Sequence, residues 1–239
     1  MNKILVFSLS ALLLFGCESD NDAEFLPWDY PVKPGMEEWA QFKSNEEMVM
    51  ACQIPEKVLS SLSTEDLTDL CLRYPLLGDI HAFNFLDMGL NKLFSDFNGI
   101  RELYKREEIS NYLIKRYRGK MDTLSSFTNA DTLGLEMAFL QISIANMDAL
   151  FSRIEKQNGS LKEVLQALVD GYEVTSNLDI NKRFFLEYNY FSRAHVIIKI
   201  CDKCIEEIPQ GSNNAVFSPH GADVETADII NKLSYQLIK

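Results

Sequence analysis

From Ser44 onward, apolar residues recur at spacings of three and four, the period of a helix with one buried face. Leu67, Leu70 and Cys71 show it, as do Leu86, Leu90, Leu93 and Phe94. No stretch alternates with period two between hairpin turns, so strands are not expected. The pattern predicts helices over 44–52, from Pro55, over 63–73, 79–97, 102–118, 131–156, 161–174, 179–208 and 224–238. Ser44 with Glu47, and Ser160 with Glu163, have the spacing of capping boxes, and Ser63-Thr64-Glu65-Asp66 caps a further helix. Asn98-Gly99, Asn158-Gly159 and Pro209-Gln210-Gly211 read as stops. The expected fold is all-α, about eight or nine helices in an irregular multi-helix bundle or αα-stack, given the short connections. Early helices are short and later ones long, which leaves room for two subdomains dividing near residue 125 within 44–239.

The first residues follow a different pattern. Lys3 precedes the apolar run Ile4–Phe15, which ends in Leu14-Phe15-Gly16-Cys17. The run has the length of a signal-peptide core and is short for a permanent span. The four-residue end resembles the bacterial lipobox. That resemblance implies a lipoprotein signal peptide over 1–16, removed before Cys17, whose sulfur then carries diacylglyceryl lipid of the palmitate type. One acyl chain anchors only marginally, so multiple acylation is the physical requirement for stable attachment. An ordinary signal peptide with a coincidental cysteine is the bland reading. The polar, acidic segment Glu18–Glu24 has almost nothing to bury and reads as a solvated tether. Acidic residues directly after the lipidated cysteine also resemble the surface-export signal of Bacteroidetes lipoproteins.

Between tether and helices, Pro27, Pro31 and Pro34 forbid helix and favour extended chain. Residues 17–43 are therefore read as a lipidated tether and an extended arm. Phe25, Trp28, Tyr30 and Trp39 would be costly to leave wet, so the arm is expected to lie along the helical body. The sharper alternative is a partner-binding segment made of Trp28, Tyr30 and Trp39.

Charge narrows the partners. The chain carries 23 Lys and Arg against 35 Asp and Glu, net −12; loss of residues 1–16 removes only Lys3 and leaves −13. Phosphate repels such a surface, so nucleic acid is not an expected partner. The apolar content of 46% suits a globular chain with a sizeable core.

Tyr30-Pro31-Val32-Lys33-Pro34-Gly35-Met36-Glu37-Glu38-Trp39 and Ile54-Pro55-Glu56-Lys57-Val58-Leu59-Ser60-Ser61-Leu62-Ser63-Thr64-Glu65-Asp66-Leu67, with Cys71–Pro75, resemble uncharacterised exported lipoproteins of gut Bacteroidetes. The resemblance covers roughly residues 27–120. It implies export from a Gram-negative cell and transfers no catalytic or binding residue.

Candidate chemistry is thin. Cys201-Asp202-Lys203-Cys204 has CxxC spacing but lies within a predicted helix with no βαβ pattern, against a thioredoxin-like role. With Cys52 and Cys71, these cysteines are candidates for free buried thiols or structural disulfides, with metal or redox chemistry as a lesser option. His81, His195 and His220 are too scattered to nominate a base, and His195 reads as a buried imidazole. Asp87, Asp96, Glu102, Glu107 and Glu108 alternate with Lys92, Arg101, Lys105 and Arg106, the pattern of a solvated face with i,i+4 pairs. Phe184, Tyr188 and Phe191 form a stripe that serves either core packing or a binding surface. No cofactor is indicated.

The expected function is a lipid-anchored envelope protein at the bacterial outer membrane or cell surface. It is read as a non-enzymatic interaction module with an envelope protein or glycan partner. The alternative is an envelope enzyme whose carboxylate and His residues converge only in three dimensions.

Overall fold

The computed structural model describes residues 28–126, 135–155 and 161–177, together with Arg193 and Ile197. Among them the structure is helical and contains no strand. Eight α-helices follow in order: α1 Asn45–Ala51, α2 Glu56–Ser61, α3 Thr64–Leu72, α4 Leu86–Asp96, α5 Asn98–Leu103, α6 Ile109–Ser126, α7 Leu135–Phe151 and α8 Leu161–Ser176. Short 3₁₀ segments occupy Trp39–Gln41 and Leu77–Ala82.

Local chemistry accounts for the helix starts. The Ser44 hydroxyl accepts the Glu47 N–H of α1 at 3.3 Å. Glu47 reaches back to the N–H of Lys43 at 2.7 Å, one residue before the cap, so the box is closed one position wider than its sequence spacing implies. Ser63 both accepts the Asp66 N–H, at 3.0 Å, and donates to the Asp66 carboxylate, at 2.5 Å. Pro55 stands just before α2, where its missing N–H costs nothing, and its carbonyl receives Val58 and Leu59 at 2.9 Å. The Ser160 cap lies outside the described residues.

Two predicted helices are divided. The expected helix over 79–97 is a 3₁₀ turn, an extended link at Phe83 to Phe85, and then α4. Gly89 permits the resulting close packing: a Cβ there would lie 2.1 Å from the Ile80 carbonyl oxygen, so α4 meets the preceding turn backbone to backbone. The expected helix over 102–118 is the end of α5, a turn at 104–108, and α6. Asn98-Gly99, read as a stop, begins α5.

The arm lies on this body. Lys33-Pro34-Gly35-Met36 forms a turn closed by the Met36 N–H to Lys33 carbonyl bond at 3.1 Å, with Gly35 at φ 92°. Proline second and a positive-φ glycine third make this a type II turn. Tyr30 is buried, and its hydroxyl donates to the Leu70 carbonyl of α3 at 2.9 Å. Its ring lies beside the pair formed by Tyr74 and Phe97, which stack on one another at 4.0 Å, and is tilted against both.

Buried apolar residues from Tyr30 to Ile197 form a contiguous cluster. The helix α6 runs through it, packed on α3, α7 and α8, while α4 and the 77–82 turn rest on α7. Arg116 of α6 grips Asp69 of α3 with two N–H groups and also reaches Glu65. The i,i+4 pairs expected on the charged face are present as Lys92–Asp96 at 2.6 Å and Arg106–Glu102 at 3.6 Å. No helix among the described residues is long and apolar enough to cross a membrane.

Candidate functional site

The helix α7 is apolar around most of its circumference, which places it inside the bundle. It nevertheless buries Gln141, Asn146 and Asp148, while Ile142 is exposed. Polar groups on neighbouring elements meet two of them, Asn146 and Asp148. Asn146 pairs with the His81 ring across the 77–82 turn at 2.9 Å. Burial holds the His81 imidazole below its ordinary range, and the Asn146 bond opposes that only in part.

Asp148 stands at the centre of a fully buried polar group. Tyr117 comes from α6, Asp148 from α7, Thr175 from α8, and Arg193 from a helical position beyond α8. The guanidinium of Arg193 donates to the Thr175 hydroxyl at 3.0 Å and lies 3.8 Å from the Asp148 carboxylate. Burial keeps the Tyr117 phenol protonated far above its usual range, with Arg193 and Asp148 acting on it in opposite senses. Room for the phenol exists because residue 171 is glycine; a Cβ there would meet the Tyr117 oxygen at 2.4 Å.

Removing both charges from water costs several kcal/mol per ion, and mutual attraction offsets this only with good geometry and added hydrogen bonds. The group therefore ties four separated segments, residues 117, 148, 175 and 193, into one arrangement. Chemically it supplies an oriented guanidinium and a phenol in a fully buried setting.

Sequence reasoning missed this group. The available signal was that Asp148 is the only charged residue between Glu136 and Arg153. Arg193 is similarly alone among the Asp, Glu, Lys and Arg residues between Glu187 and Lys199. Arg106 was also underread: besides pairing with Glu102, it donates to the Leu62 and Leu59 carbonyls at the end of α2, at 2.7 and 3.2 Å.

The residues singled out from sequence are distributed as follows. Tyr30 is in the core, and Trp28 and Trp39 are partly buried against it. The Trp28 ring meets Tyr30 edge-on at 5.1 Å, and Trp39 meets Phe42 at 5.6 Å. Cys52 and Cys71 are free buried thiols. Burial pushes Cys52 up to about 11 and Cys71 higher still, so neither is a ready thiolate. Cys17, Cys201, Cys204, His195, His220 and the Phe184, Tyr188, Phe191 stripe lie outside the described residues. Among the described residues, no three His, Cys, Asp or Glu side chains are grouped to hold a metal ion.

Comparison of the chain with protein-family models, curated proteins and solved structures returned no match.

Proposed function

We propose that this chain is a lipid-anchored protein of the bacterial envelope that acts as an interaction module. The observation that carries the reading is the order of Lys3, the apolar run, and Leu14-Phe15-Gly16-Cys17, followed by an acidic tether. The docked arm fits this reading. An extended chain spans at most about 3.3–3.6 Å per residue, so the stretch from Cys17 to Trp28 reaches no more than roughly 40 Å. A domain so attached works close to its membrane, with a protein or glycan of the envelope as partner. Cys17→Ser is the test. The variant should lose labelled palmitate and leave the membrane fraction; unchanged membrane retention would overturn the reading.

A second reading, an envelope enzyme, draws on the convergence of Tyr117, Asp148 and Arg193. It requires reagents to reach side chains that are fully buried. Phenylglyoxal modification of Arg193 in the native protein, located by mass spectrometry, favours this reading; protection of Arg193 until unfolding counts against it.

A further inference from the structure

The first capped helix carries an unusual surface. Met50 is 72% exposed on α1, and Met36 is exposed on the turn before it. Phe42 and Met50, with Glu46 and Glu47, line an open groove of about 390 Å³ whose walls are mainly apolar. Trp39 backs Phe42 edge-on, and it packs on the core, so the floor of the groove is supported. Over residues 37–47 the charged side chains are Glu37, Glu38, Glu46 and Glu47 against Lys43 alone. The lysine of α4 that acts on Glu46, Lys92, is itself paired with Asp96 at 2.6 Å. The groove is thus apolar within and negative at its rim.

We propose that this groove takes a cationic polypeptide segment carrying an apolar anchor. The proposal deepens the interaction-module reading and rests on it. Methionine is unbranched and polarizable, so Met50 on the groove wall adapts to the shape of an inserted side chain. Apolar surface grooves receive the apolar face of amphipathic segments. The carboxylates at the rim select lysine and arginine on either side of the anchor and repel an acidic competitor. The same charge disfavours an anionic lipid surface as the occupant.

The test uses the full-length chain in non-ionic detergent, so its outcome does not depend on whether Cys17 is acylated. The probe is a short fluorescein-labelled peptide of lysines flanking a Leu-Leu pair, with its glutamate counterpart as control and empty micelles subtracted. Saturable binding of the lysine peptide alone is expected. Met50→Asp should weaken it at least about fivefold, a difference well within anisotropy titration. This variant adds a negative charge, so diffuse attraction to an acidic protein would instead tighten binding. Glu46→Lys should also weaken it. Met50 is largely exposed, so the fold should persist; equal melting temperatures check this, and Met50→Gln serves as a milder second variant. No saturable binding, or binding unchanged in all three variants, would overturn the proposal. So would Met50-dependent association with phosphatidylcholine vesicles, assayed after detergent removal, without peptide binding, which assigns the groove to a lipid surface. Partner capture from solubilised membranes that is indifferent to Met50 and Glu46 would sink this groove and leave the broader reading intact.

Discussion

The side-chain amide of Asn98 pairs with both backbone groups of Ile54: it accepts the N–H at 3.0 Å and donates to the carbonyl at 2.7 Å. Gln53 answers in the other direction, donating to the Asp96 carbonyl at 2.9 Å and accepting the Asn98 N–H at 3.2 Å. Two side-chain amides thus clasp the α1–α2 link to the α4–α5 link through backbone groups of Ile54, Asp96 and Asn98. Removing one member leaves buried groups unsatisfied, at about 1–3 kcal/mol each. Asn98→Ala should therefore lower unfolding free energy by roughly 2–4 kcal/mol on the same basis, read from urea titration. Asn98→Asp keeps the acceptor but loses the donor and should fall between. An effect under about 0.5 kcal/mol, the level of an ordinary surface change, would show that the clasp does not form.

Gly89 makes a sharper demand. A methyl group there meets Ile80 backbone, which cannot swing aside as a flexible side chain can. Gly89→Ala should cost about 1–3 kcal/mol or more through overpacking, although alanine is the better helix former. A neutral or stabilising result in thermal melts would mean that the 77–82 turn stands farther from α4 than described.

Asp148 and Arg193 should behave as a pair. Asp148→Ala leaves the guanidinium buried without its counter-charge and should cost about 3–5 kcal/mol. Replacing both, as Asp148→Leu with Arg193→Met, should recover most of that loss, because the desolvation cost goes with the charges. A double-mutant cycle showing simple additivity would contradict the coupling.

His81 predicts the direction of a pH effect. Its folded-state pKa lies below the ordinary 6.5, chiefly through burial. Below that value the unfolded chain binds a proton that the folded chain resists, so this group's contribution is present above 6.5 and is lost as pH falls through the folded pKa. Between neutral pH and mildly acidic pH the native protein should lose more stability than His81→Gln. Equal slopes in the two proteins would remove His81 as the cause.

The helical character of the chain was legible because a repeated apolar spacing has only one regular backbone that buries it. The caps at Ser44 and Ser63 were legible for a related reason: they act over three residues and need no distant partner. The break at Asn98-Gly99 was legible too, since α4 ends at Asp96, but that the pair opens α5 was not. An Asn-Gly pair favours turns locally, yet here Asn98 satisfies Ile54 and Gly99 admits the Phe97 ring and the Ile54 side chain. Nothing within the local sequence window contains that information.

By itself the sequence determined net charge, helix class and the caps at Ser44 and Ser63, the last two of which depend on neighbours a few residues away. Tertiary structure alone decided that Gly89 meets Ile80, that Tyr30 plugs onto Leu70, and that Tyr117, Asp148, Thr175 and Arg193 share one buried centre. Each of these is a steric, hydrogen-bonding or electrostatic relation between residues whose separation along the chain carries no trace of their separation in space.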